Sequence, residues 1–191
     1  MKTILIPPSI KLKPITESDA LHIFEIIDSE REYFAKWLPF VPFVKSVEDE
    51  LNYIRSIFAT PEDEREIVFC IYYTDIFVGL IGLKFNADNK ANQKTEIGYW
   101  LSEKHQGKGI ITTSVKVLLN LAFSELKLNR VQIRCATGNI GSKNIPKRLG
   151  FVLEGIERDG ELLANGNFTD LEIYSMLKKD FFSAEQEKHE C

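Results

Sequence analysis

Residues 96–114 read EIGYWLSEKHQGKGIITTS, and their order decides the fold. Glu96 to Leu101 has the β-branched and aromatic make-up of a strand. A polar turn with Gly107 and Gly109 follows, and from Ile110 an apolar pattern of helical spacing begins, with Val115, Leu118, Leu119, Ala122 and Leu126 on one face. A strand that feeds a glycine turn and then a helix aims the free N–H groups and the positive helix end at one spot, which suits a phosphate. The turn is not a P-loop, since no Gly-Lys-Ser/Thr stands at the required spacing, and it lacks the G-x-G-x-x-G of a dinucleotide fold. Gly98 inside the strand pattern predicts a bulge or a close backbone approach. Such a device leaves backbone groups of Tyr99, Trp100 and Leu101 unpaired toward a gap beside the next strand.

Downstream, Val131, Ile133 and Cys135 alternate as a strand. A short helix follows over Gly141–Leu149, with Pro146 shortening or kinking it. A strand starts at Phe151, and Asn165-Gly166 turns the chain into a last strand, Phe168–Leu177. Upstream, IVFCIYY from Ile67 and IFVGLIGLKF from Ile76 form a hairpin through Thr74 and Asp75, and Ala87 to Lys94 reads as a polar loop. Before them come a short strand over Ile10–Lys13 and two capping boxes. Thr16 to Asp19 opens a helix with Leu21, Phe24 and Ile27 on its apolar face, and Ser46 to Asp49 opens one with Leu51, Ile54, Ile57 and Phe58, ended by Pro61. Arg31 to Trp37 reads as helical up to Pro39. Antiparallel hairpins at both ends with one crossover between them predict an α/β fold with a mixed, mostly antiparallel sheet splayed at its middle and flanked by helices.

With 191 residues the chain fits one domain at ~100–200 residues each, taken as 1–182, with a polar tail over 183–191. Its 44% hydrophobic and 27% charged residues are those of a globular protein. The net charge of −4 argues against nucleic acid or an anionic membrane as partner. Cys70, Cys135 and Cys191 are odd in number and form no CxxC pair, which fits a reducing compartment. Pro7 and Pro8 break the apolar N-terminus, and no run approaches the ~18 apolar residues of a membrane span, so the expected location is cytoplasmic. His22, His105 and His189 share no metal-ligand spacing, and no metal is expected.

Gln106-Gly107-Lys108-Gly109-Ile110-Ile111 resembles the Gln/Arg-x-x-Gly-x-Gly/Ala pyrophosphate loop of the GNAT acetyltransferase superfamily, departing from it only at Ile111. The likeness is to its RimL/RimJ-like branch of ribosomal-protein N-terminal acetyltransferases. Residues 96–101 are similar to that branch's central strand, and Asn139 to Ser142 followed by Arg148 to Phe151 to its N-x-x-S…R-x-G-F segment. Asn165-Gly166 with Asp170 and Tyr174 resembles its closing hairpin, and REYFAKWLPF, residues 31–40, its acceptor-side helix.

The resemblance implies a GNAT-like splayed sheet and direct transfer of acetyl from acetyl-CoA to an amine, without a metal. Tyr99, Trp100 and Leu101 would border the pantetheine arm, and Gln106, Gly107, Lys108, Gly109, Ile110, Ile111 and Thr112 the pyrophosphate. Lys143, Lys147 and Arg148 would stand near the phosphates. Asn139 would contact pantetheine, and Ser142 would protonate the departing thiolate. Glu96 and Glu161 are the two candidates for the base that frees the amine. Trp37 and Phe40 would line the acceptor pocket. The implied acceptor is a protein N-terminus, with a small amine such as a polyamine, aminoglycoside or amino-acid-like molecule as the alternative; a non-catalytic acyl-CoA-binding module is the reading of another class. A homo-oligomer is possible on this reading.

Overall fold

Eight strands make one mixed sheet in the order β1-β2-β3-β4-β5-β6-β8-β7. They are β1 (Ile4–Ile6), β2 (Ile10–Pro14), β3 (Ile67–Tyr73), β4 (Ile76–Lys84), β5 (Lys94–Leu101), β6 (Arg130–Ala136), β7 (Val152–Leu162) and β8 (Phe168–Leu177). The computed structural model describes residues 1–62, 64–85 and 91–189. Much of the loop expected over Ala87–Lys94 lies outside the described residues, as does Cys191. The β3–β4 hairpin turns where the sequence placed it, because Thr74 and Asp75 both adopt positive φ, 49° and 64°, which matches the twist of the paired strands. β1 has no counterpart in the sequence reading, being only 3 residues long.

The sheet opens at its middle. β5 and β6 are paired only from Lys94↔Arg130 to Glu96↔Gln132, in parallel, and then diverge. β6 diverges because it stays in register with β8 from Arg130↔Leu177 to Ala136↔Leu171. The bulge expected at Gly98 is absent from β5's pairing with β4, which runs unbroken from Lys84↔Glu96 to Gly79↔Leu101. No close backbone approach is found there either, since a Cβ at Gly98 would meet only the tip of the Lys84 side chain, 2.9 Å from Cε. The gap therefore comes from β6 leaving, not from β5 bulging.

Helices cover both faces. α1 (Ala20–Ser29) and α3 (Val47–Ala59) bury Ile23, Ile27, Ile54 and Ile57 with Val68, Cys70, Phe77 and Leu80 of the sheet. α3 starts at the predicted capping box of Ser46 with Asp49, and the Thr16–Asp19 box opens a 3-10 turn, Glu17–Asp19, that runs on into α1. Leu21 does not face the core as expected: it is 48% exposed, and Ala20, Ile23 and Ile27 carry the buried stripe. Phe58 of α3 is also exposed. The crossover helix α4 (Ile110–Asn120) buries Ile110, Ile111, Val115, Leu118 and Leu119 on the other face. Two short helices, α2 (Arg31–Ala35) and α5 (Ile140–Arg148), flank the gap region, and α6 (Lys178–His189) continues helical into the expected polar tail, docked by Phe181 against Phe123 with ring centroids 5.3 Å apart.

Candidate active site

Tyr99, Trp100, Leu101, Gln106 to Thr112, Asn139 and Ser142 line one cavity, and Lys143, Lys147 and Arg148 are not among its lining residues. Gly107 and Gly109 hold φ of +72° and +74°, and the space a Cβ would fill at either is open. Gly109 is the N-cap of α4 and brings no capping side chain, so the first N–H groups of that 11-residue helix stay free for an anion. These features fit the pyrophosphate of a coenzyme A. The turn is held from below. Glu30, buried between α1 and α2, accepts from Ser102 Oγ and from the Glu103 N–H, each at 2.7 Å. The Gln106 amide donates to the Tyr33 hydroxyl, a lining residue absent from the sequence reading.

Lys108 lies over the Tyr73 ring at 5.3 Å, and His105 meets the same ring edge-on, a loop-packing role. Burial, with Lys108 nearby, lowers the His105 pKa. Arg148 donates to Thr112 Oγ1 at 2.9 Å and so stands beside the start of α4. Lys143 does not stand at the phosphates: its Nζ is 2.8 Å from Glu172 and 3.0 Å from the Thr137 carbonyl, drawn there by the carboxylate of β8.

At the gap itself, four groups converge. Asn139 caps α5 by accepting from the Ser142 N–H at 3.1 Å. Ser142 Oγ is 3.2 Å from the Tyr99 hydroxyl and 3.3 Å from Cys135 Sγ. The Tyr99 hydroxyl also donates to the Ser142 carbonyl at 3.1 Å. That carbonyl is available because the residue four positions on is Pro146, which has no N–H to return to it. With the Tyr99 proton on the carbonyl, the Tyr99 oxygen is left to accept from the Ser142 hydroxyl, which holds that hydroxyl in the gap. Burial pushes the Tyr99 phenol and the Cys135 thiol up, so both stay protonated and Cys135, 3% exposed, is no thiolate nucleophile. Trp100 packs edge-on to Phe34 and Phe77, as core.

A second cavity adjoins the first and shares Trp37, Leu38, Tyr99, Trp100, Asn139 and Ser142 with it. Trp37 and Phe40 line it, Phe40 being 39% exposed. Glu96 and Glu161 line it too, in different states. Glu96 is bound by Arg134 Nε at 2.8 Å and lies 3.7 Å from Lys84 Nζ. Glu161 is half-buried with no hydrogen bond among the described residues. Burial raises its pKa, with Arg134 and Lys84 opposing and Glu96 and Glu157 adding to the rise. Glu50 and Glu66 line the same groove and were not singled out in the sequence, since each alone reads as a surface charge. Burial, then Asp49, pushes Glu50 up to about 7, and burial raises Glu66 as well. Among the described residues no group of His, Cys, Asp and Glu forms a metal cluster, and no helix is long and apolar enough to cross a membrane.

The sequence profile of the acetyltransferase (GNAT) domain matches residues 9–152. YdaF of Bacillus subtilis (strain 168), provisionally named a ribosomal N-acetyltransferase, is 36% identical over 187 residues, covering 95% of this chain and 98% of its own. The ribosomal-protein-serine acetyltransferase of Escherichia coli (strain K12) is 29% identical over 176 residues, covering 92% and 97%. Among solved structures, RimL, the ribosomal L7/L12 α-N-protein acetyltransferase in complex with coenzyme A, superposes with a TM-score of 0.86 at 22% identity, over 93% of this chain and 99% of that one.

Proposed function

The chain belongs to the GNAT acetyltransferase family and is an N-acetyltransferase with acetyl-CoA as co-substrate, and from that premise we propose that it passes acetyl directly to the N-terminal α-amine of a protein. The observation that carries this reading is the meeting of two cavities at the opened sheet, sharing Tyr99, Trp100, Asn139 and Ser142. Donor and acceptor then reach one point together, with no covalent stop on the enzyme.

Acetyl-CoA supplies the acetyl group as a thioester. On this reading the amides from Gly107 to Ile111 hold its pyrophosphate, and the β5 backbone at Tyr99 to Leu101 offers an N–H to the thioester oxygen. Ser142 gives its hydroxyl proton to the departing sulfur, with Tyr99 fixing the Ser142 carbonyl. Glu161 takes the proton of the attacking amine, because its carboxylate is not held in a salt bridge as that of Glu96 is. An α-amine, pKa near ~8, is partly neutral at pH 7, whereas freeing a lysine near ~10.4 costs roughly 4–5 kcal/mol. The ribosomal-protein names of the relatives point the same way.

The test follows free thiol release from acetyl-CoA with three acceptors: a peptide with a free Ser or Ala N-terminus, the same peptide N-terminally blocked with an internal Lys, and spermidine. The free N-terminus is expected to be acetylated fastest. Ser142→Ala is expected to lower kcat by ~10²–10⁴-fold with acetyl-CoA affinity nearly constant. Turnover confined to spermidine would overturn the protein acceptor and leave the acetyltransferase standing.

A further inference from the structure

The acceptor groove contains more negative charge than the reaction uses. Five carboxylates line it, Asp49, Glu50, Glu66, Glu96 and Glu161, against two cations, Lys84 and Arg134. Glu96 already holds both cations, through Arg134 at 2.8 Å and Lys84 at 3.7 Å. Asp49 is spent on the α3 capping box, accepting from the N–H groups of Lys45 and Ser46 at 2.9 and 2.8 Å. Glu161 serves the amine. Glu50 stands apart from these. It is 4% exposed, lines the groove, and no hydrogen bond or ion pair meets its carboxylate among the described residues.

A carboxylate taken out of water without a partner is costly, and a cation brought by a ligand offsets that cost. The cation is not the amine being acetylated. That amine must be neutral to attack, and on the proposed reading its proton goes to Glu161. Glu50 also comes from α3, whose apolar face packs on α1, while Ser142 comes from α5 beside β6 and β8. The groove that Glu50 lines also carries the rings of Tyr53, Phe40 and Phe43, surfaces that take the aliphatic stem and the charge of a Lys or Arg side chain.

We propose that Glu50 forms a subsite for a basic side chain, so that the preferred acceptor is a protein N-terminus with Lys or Arg among its first residues. This deepens the proposed function and rests on it.

The test uses peptides with a free Ser N-terminus and Lys at position 2, 3 or 4, their norleucine counterparts, and spermidine. The wild-type enzyme is expected to favour one Lys peptide over its norleucine partner by roughly ten- to hundredfold in kcat/KM, mostly through KM, as fits one charge-assisted contact in a half-dry groove. Glu50→Gln should collapse that ratio toward one. Because that variant could fail to fold, calorimetry on the wild-type protein alone compares the same Lys and norleucine peptides in their N-acetylated product form. Tighter binding of the Lys product supports the subsite. Equal kcat/KM and equal product affinity would refute the subsite while peptide turnover upheld the proposed function. Turnover of spermidine with no peptide accepted overturns both.

Discussion

With its carboxyl pushed up to about 7 by burial and by Asp49, Glu50 binds a proton more tightly in the folded chain than in the unfolded one, where a value near 4.5 applies. Between those two values the native state holds the extra proton, so stability falls as pH rises through that window and stays lower above it. Glu50→Gln should therefore leave the thermal midpoint almost unmoved at pH 4.5. At pH 8 it should stabilise the free protein, on the order of 1–3 kcal/mol once water in the groove is allowed for. Melting curves of both proteins across that range check it, and a variant equally destabilised at both pH values would sink the explanation. A residue that lowers stability yet lines a groove is one whose use lies in a ligand. Nothing in the sequence marked it. Glu50 and Glu66 sit on a helix and before a strand, and only tertiary packing brings both to one cavity. The position of Asn139 and Ser142 at the start of α5 was legible because they belong to one short local segment, Asn139 to Phe151. The contact of the Tyr99 phenol with Ser142 was not legible, since an aromatic ring in a strand gives no sign of where its hydroxyl ends.

At the scale of elements, α5 departs from a regular helix in a useful way. Pro146 leaves the Ser142 carbonyl without its helical donor, and the Tyr99 hydroxyl takes that place at 3.1 Å. Pro146→Ala restores an N–H four residues on, which competes for the carbonyl and loosens the Tyr99 hydroxyl that holds Ser142 in place. We expect kcat to fall several-fold with little change in the KM for acetyl-CoA. The helix should become more stable, since Pro inside a helix costs about 3 kcal/mol relative to Ala. Circular-dichroism melting beside steady-state kinetics reads both; full kcat with a raised melting point would assign Pro146 to shape alone. The capping boxes and the β3–β4 turn were legible because their signals are local. The bulge or close backbone approach expected at Gly98 is not found, because a glycine in a strand marks only free space, here taken by the tip of Lys84.

For the molecule as a whole, the opened sheet makes acetyl-CoA a structural element as well as a co-substrate. Gap-side N–H groups of β5 beyond Glu96 have no partner on β6, and the first turn of α4 has no capping side chain. Filling both should raise stability with ligand concentration, by about 2.7 kcal/mol at one hundred times the dissociation constant. For a chain of this size that is roughly 5–10 °C in melting temperature. A thermal-shift titration checks it, and Gly109→Glu, which puts bulk and charge where the phosphates belong, should abolish the shift. The mixed sheet could be read from the sequence because its hairpins are local, whereas the reach of its opening depended on how far β6 follows β8.

Three residue pairs, Lys94 to Glu96 with Arg130 to Gln132, stitch the half-sheet of residues 4–101 to that of residues 130–177. In the first half β1 to β5 pair in chain order, and in the second β6, β8 and β7 pair among themselves. Each half can therefore close its own ladder before the other exists, and the parallel seam, which needs the α4 crossover to be in place, is left to form late. The last part to assemble is also the first to breathe. The two blocks of the folding chain meet along the line where the proposed function brings the two substrates together, so the weakest joint of the sheet is the place assigned to the chemistry.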